Sequence, residues 1–218
     1  SLGGFAGAGV LLVLLKILSL PVNQSIWGLL IVLFIAMVVV SQFMLTFGSD
    51  PNAKVTKKSK SPLSFHPIAL IFGLLSFVSY LVEGAVGDWS ALYLFEDKGI
   101  LIEEAVMGVM LFNGTMCIGR LLGNRLGKHL TSKQVVVGGY LLGSIAMGLI
   151  VFLPGHASMY TYLLLGISLA MIVPNLFSAM GEQNVIPMTQ AVATSTMLGY
   201  MGILMGPALI GFIAHGTS

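Results

Sequence analysis

The chain has 218 residues, of which 56% are hydrophobic and 8% charged, with a formal net charge of +2. Soluble domains carry about 25% charged residues, so an ordinary water-soluble fold is excluded. Apolar runs of roughly 20 residues recur, each long enough to cross a hydrocarbon core of about 30 Å, and the period-two alternation of a membrane barrel is absent. The expected class is an all-α polytopic membrane protein. It begins "SLGGFAGAGV", inside an apolar run and without an initiator Met, and reads as a piece of a longer chain.

Seven spans are expected, at 3–20, 26–48, 67–94, 102–126, 133–153, 158–180 and 187–214. The first is dense in glycine. Between the second and third lies "SDPNAKVTKKSKSPLSFHP", a basic segment with Pro and Ser that reads as a linker over 49–66. Lys54, Lys57, Lys58 and Lys60 lie there, and Arg120, Arg125, Lys128 and Lys133 flank another turn on the same side of the bilayer. That side is assigned to the cytoplasm. A lipid-surface patch is the competing reading of the linker, and a topology signal is preferred.

The third span holds two carboxylates, Glu83 and Asp88. Five residues apart, they point to different faces of a helix and form no acid/base dyad. At 1.5 Å per residue Glu83 lies about 24 Å beyond Pro67 and Asp88 about 31 Å. Asp88 with Trp89 and Tyr93 then reads as an anchor at the outer interface. A carboxylate at the depth of Glu83 costs about 2.5–3.5 kcal/mol on insertion scales, so it needs a partner, a proton or water. Coupling to transport and structural pairing are both open for it. No opposite charge lies one helical turn away, and a partner outside the seven spans is one expectation.

The fourth span carries Asn113, a candidate solute ligand or a glue between helices, and Cys117, the single cysteine, which excludes an intrachain disulfide. The sixth holds "IVPNLFS", where Pro174 should kink the helix and Asn175 is a second solute or glue candidate. In the last span Gln190, Thr194, Ser195 and Thr196 occupy the cytoplasmic half, and the hydroxyls are expected to bond their own helix. Thirteen methionines fit adaptable helix packing. His66, His129, His156 and His215 fall at span ends and cannot form one metal site, and no nucleotide-binding or metal-binding motif is present.

"CIGRLLGNRLGKHL", residues 117–130, resembles the short-loop signature of the major facilitator superfamily in its second copy, with Arg125, Gly127 and Lys128 matching. Asn124 stands where the family usually has Asp, and Gly119 is one residue off the usual spacing. "GYMGILMGPALIGFIA" is similar to the family's eleventh helix, "EGAVGDWSALYL" to the seventh helix of a bacterial branch near the fucose permeases, and "IVPNLFSAMGE" to that branch's tenth. The resemblance implies helices 5–11 of a twelve-helix, two-bundle transporter. Residues 1–48 would close the N-terminal bundle, 49–66 would be the central cytoplasmic loop, and 67–218 would be a C-terminal bundle lacking its last helix. Glycine-dense first and last spans would then be equivalent positions in two related halves. The family also implies an inner gate in which Arg120 or Arg125 meets Glu182. The expected function is gradient-driven transport in a bacterial cytoplasmic membrane. The expected partners are lipid and a small polar solute, with a sugar-like solute and a coupled proton as options. No cofactor, metal or nucleic acid is expected. A membrane-embedded enzyme would need a catalytic pair at depth. A retinal protein would need a lysine midway along the last span, where there is none.

Overall fold

A computed structural model describes Leu63, residues 65–126 and residues 130–217, and the chain over that range is helical. The expected spans at 3–20 and 26–48, and the linker to Pro62, lie outside the described residues. The described helices are α1 (Pro67–Glu96), α2 (Ile102–Leu126), α3 (Ser132–Phe152), α4 (Gly155–Ala170), α5 (Ile172–Glu182) and α6 (Met188–Thr217).

Local chemistry sets these limits. Pro67 starts α1, where its missing N–H costs no bond, and the His66 ring accepts from the Ile68 amide at 3.3 Å. Gly99, with φ of 66°, makes the turn into α2 that a residue with a Cβ would resist. Thr131 and Gln134 form a reciprocal capping box at the start of α3. Pro154 precedes α4. Among the described residues, five stretches are long and apolar enough to cross a bilayer: Pro67–Glu96, Ile102–Gly123, Ser132–Phe152, Gly155–Glu182 and Met188–Gly216. The chain is a multi-pass membrane protein. Leu74, Leu121, Leu141, Ile145 and Phe212 are among the many large apolar side chains left exposed, as lipid-facing residues are.

One expected span is two helices. The run from Gly155 to Glu182 breaks at Met171, because Pro174 has no N–H for the carbonyl of Ala170 and its ring crowds that carbonyl. The break is the kink the proline predicts, three residues earlier in the chain.

α1 lies along α6, α2 against α4, and α3 against α4 and α5. Lipid supplies no hydrophobic drive between helices, so close approach of small residues must do so. At the α1–α6 seam a Cβ on Gly202 would run into the Phe77 carbonyl, and one on Gly206 would come within 2.7 Å of the Leu81 carbonyl. Gly166 of α4 meets the Phe112 carbonyl of α2 in the same way. Buried Phe112, Met116, Leu165, Ile172, Leu176 and Met180 form the middle of this packing.

The two ends are tied by polar contacts. At the Pro67 end Ser132 donates to Glu182 at 3.0 Å. At the Glu96 end His156 Nε2 lies 2.8 Å from Glu104 Oε2, and Lys98 donates to the Val151 carbonyl at 2.6 Å while sitting over the Tyr93 ring.

Candidate functional site

The midpoint of α1 falls between Leu81 and Val82, so Glu83 is close to it. Its Oε2 lies 3.6 Å from Nη2 of Arg120 on α2. The side chains are 21% and 32% exposed respectively, so the pair is shielded but open to entry. Two charges are thus brought together across apolar helices, where each compensates for the other's lost hydration.

Aromatic rings border the pair. Tyr80, one turn before Glu83, lies close enough to feel the charges of both Glu83 and Arg120. Its ring stacks on Tyr200 of α6, with centroids 6.1 Å apart and planes 8° from parallel. Gly199 makes the stack possible, since a Cβ there would strike the Tyr80 ring at 2.5 Å. Three helices therefore contribute to the polar patch.

The turn of α2 carrying Arg120 also rests on the broken span. Gly119 packs on the Ala170 side chain and Gly123 on the Met171 side chain, the two residues at the break. Asn175 donates to the Met171 carbonyl at 2.8 Å and so stitches the far side of the break. A bend at Met171 is thereby in direct contact with the turn that holds the guanidinium.

The other sequence candidates lie elsewhere. Asn113 donates to its own helix at the Val109 carbonyl, 3.0 Å away. It sits two turns from Arg120 on the same face of α2. Neither Asn113 nor Asn175 contacts Glu83 among the described residues. Glu182 is exposed and bonded to Ser132, and this arrangement does not bring it to Arg120. Arg125 is in the last turn of α2, and its side chain lies outside the described residues, as do Gly127, Lys128 and His129. Asp88 is exposed, while the Trp89 indole donates to the Pro207 carbonyl of α6 at 3.1 Å.

Two expectations change. The partner of Glu83 stands on α2, within the seven spans. Sequence spacing along α1 could not reveal it, because the pairing is lateral. Ser195 does not bond its own helix alone but faces α1, with its Oγ 2.6 Å from Ser76 Oγ and 3.2 Å from the Phe72 carbonyl. The glycine-lined seam brings that carbonyl within reach, whereas Thr115 and Thr161 do bond their own helices. Tyr140 was not among the candidates, yet it ties α3 to α1 through Ser79 at 2.8 Å and the Leu75 carbonyl at 2.5 Å.

A groove of about 440 Å³ opens elsewhere, between α1, α3, α4 and α6 toward the Glu96 end. Val82, Val86, Ile150 and Ile210 line it, with Glu96 and Asp97 at its rim. Its apolar walls suit a lipid tail or helix better than a polar solute. The charged pair lies outside it and remains the stronger candidate.

The chain is similar to transporters. It is 35% identical over its whole length to an uncharacterised MFS-type transporter of Yersinia pestis, covering 56% of that protein. It is 32% identical over 149 residues to membrane protein MosC of Rhizobium meliloti, covering 37% of it. It is 28% identical over 152 residues to an uncharacterised transporter of Sinorhizobium fredii, covering 40% of it. The chain thus spans about half the length, or less, of the curated relatives it matches. No family model matches the chain, and no solved structure does.

Proposed function

We propose that this chain is part of a secondary transporter of the major facilitator type, which moves a small solute across the membrane by alternating access. The Glu83–Arg120 pair carries the reading: two charged groups sit between apolar helices, beside a break in a third, and the relatives are named as transporters. An ion pair 3.6 Å apart has a second state when either member changes charge or partner. The break at Met171, packed on the turn bearing Arg120, gives that exchange a mechanical outlet. Twelve helices, helices 5–11 in this chain, a place near the fucose permeases, a sugar-like solute and a cytoplasmic linker side belong to the same proposal. An enzyme or a seven-helix receptor is not favoured, since the pair supplies charge without a nucleophile.

Glu83 is then the group that changes charge or partner in the cycle, with Asn113 and Asn175 as further solute ligands. Asp88 and Trp89 anchor the Glu96 end of α1. Arg120 or Arg125 meets Glu182 to close the inner gate, an exchange of partners for Arg120 in a second state. The test is a thermal-stabilisation screen of solutes on the protein in nanodiscs, followed by uptake of any hit into proteoliposomes with an imposed gradient. Glu83→Gln should abolish uphill uptake and spare folding, and Asp88→Asn should lower the rate modestly. Wild-type accumulation by Glu83→Gln would falsify the coupling role. For the gate, cysteines introduced at 125 and 182 should cross-link in one state, and no cross-link under any condition removes that contact.

A further inference from the structure

Two tyrosines lie in the middle of the bilayer without a structural role. Tyr80 on α1 and Tyr200 on α6 are within about 4 Å of the midpoints of their helices, at 1.5 Å per residue. Tyrosine ordinarily collects at the membrane surface, where its hydroxyl meets water. Tyr140, as deep in α3, shows what a phenol does here when it faces a helix. Its hydroxyl lies 2.8 Å from Ser79 Oγ and donates to the Leu75 carbonyl at 2.5 Å. Neither the Tyr80 nor the Tyr200 hydroxyl has a hydrogen-bond partner among the described residues. Hydrocarbon offers such a group nothing, so a lipid-facing position is costly for both. This face of α1 and α6 calls for polar groups from outside the two helices.

The stack defines the shape of what fits. The rings are 8° from parallel, and Tyr200 is 61% exposed, so the face it does not give to Tyr80 is open. An aromatic face carries partial negative charge and attracts the partly positive C–H groups of a flat neighbour. The surface is thus an apolar shelf with a hydroxyl at its edge, backed by a second ring with another. The charges that reach Tyr80 are of opposite sign, Glu83 and Arg120, and favour neither an anion nor a cation on the shelf. The matching solute is uncharged, with an apolar face about one ring wide and a rim of hydroxyls. A cyclic polyol with equatorial hydroxyls has that form permanently. An open-chain polyol has the same groups but must be ordered to present them, which weakens binding.

We propose that Tyr80 and Tyr200 form a solute-binding shelf for a neutral cyclic polyol. The C–H face of the ring lies on Tyr200, and rim hydroxyls bond to both phenol hydroxyls. The proposal rests on the transporter reading and adds to it the two side chains that recognise the solute and the demand for a closed ring.

The experiment uses the full-length protein in nanodiscs. The probes are glucose against sorbitol and myo-inositol against mannitol, each a ring against an open chain, with cyclohexanol as a ring lacking the polar rim. At least one cyclic polyol should raise the melting temperature, with its open-chain counterpart and cyclohexanol binding at least about tenfold more weakly. Tyr200→Phe keeps the stack and removes one hydroxyl, and affinity should fall about fivefold. Tyr80→Phe should do the same. Tyr200→Leu loses face and hydroxyl together, and the preference for the ring over the open chain should vanish with it. Tyr200 is exposed, so the unliganded melting temperature of that variant should match the wild type. A Tyr200→Cys protein should react with a membrane-impermeant thiol reagent above the background from buried Cys117, and the bound ring should slow that reaction.

No stabilisation by either ring, open chains that bind as well as rings, or ring selectivity that survives Tyr200→Leu would each overturn the proposal. So would a Tyr200→Cys protein that never labels, since protein or lipid would then cover the shelf. Uptake of another solute that is indifferent to Tyr200→Leu would overturn the shelf and leave the transporter reading standing. Ring binding that follows these rules, with no uptake under any imposed gradient, would remove the transporter reading and leave the shelf.

Discussion

α1 has two working sides, and they are built on opposite principles. Against α6 it is close-packed and neutral: glycines press on carbonyls, Ser76 meets Ser195, and Trp89 reaches the Pro207 carbonyl. Against α2 it offers one carboxylate, set 3.6 Å from one guanidinium with room around both. The first contact is satisfied in one geometry only, because a carbonyl a few tenths of an ångström closer would clash. The second is longer and partly exposed, so it tolerates displacement, and the proposed exchange of partners would take place there. On the proposed function, a single helix carries a fixed side and an exchangeable side.

The sharpest way to break this contrast is on the fixed side. Gly202→Leu would drive a side chain into the Phe77 backbone, which cannot yield as a flexible side chain would. Overpacking of this kind costs about 1–3 kcal/mol or more, and in lipid the two helices should separate. Loss of the folded fraction in detergent unfolding and size-exclusion profiles is the expected readout. A normal profile would mean that the seam is softer than described.

On the exchangeable side Arg120→Gln leaves Glu83 without its counter-ion. Stability should fall by about 1–3 kcal/mol, less than for a fully buried pair because both members are partly accessible. Adding Glu83→Gln should restore most of that loss, which a double-mutant cycle measures directly. Additive losses would show that the two residues act separately.

Trp89→Phe keeps the ring but removes the indole donor to Pro207. A loss of about 0.5–1.5 kcal/mol is expected, with any uptake activity retained. Ser195→Ala should have the smallest effect, about 0.6 kcal/mol, the average for hydroxyl bonds between membrane helices. If Ser195→Ala instead impaired uptake more than stability, the seam would have a part in exchange as well as in fixing.

Much of this architecture is legible in the chain itself. The five apolar stretches lie within about three residues of the positions that length and hydropathy predict, and Pro174 marks the break. Arg120 was visible as a cation near the end of a span, and Glu83 as an acid within one. Their meeting was not visible, because apolar residues surround a membrane helix on most sides and hydropathy does not say which face meets a neighbour. The same ambiguity hid Ser195 and Tyr140. Glycine carried the missing signal: Gly199, Gly202 and Gly206 mark the face of α6 turned to α1, and Gly119 and Gly123 the face of α2 turned to the break. Reading small residues as faces, in addition to reading apolar residues as spans, would have placed Arg120 beside the broken helix.

Pro207 has a consequence for how this protein can be altered. Lacking an N–H, it leaves the Ile203 carbonyl without its usual helical donor, and that oxygen would lie 2.7 Å from a Cβ placed on Gly84. Position 84 is therefore closed to any side chain, and the carboxylate next to it cannot be shifted one place along the helix. A protein engineer, or a lineage accumulating single changes, could retune the charge at residue 83 but could not slide it toward residue 84 without first rebuilding α6. A proline on one helix thus fixes the address of an acid on another.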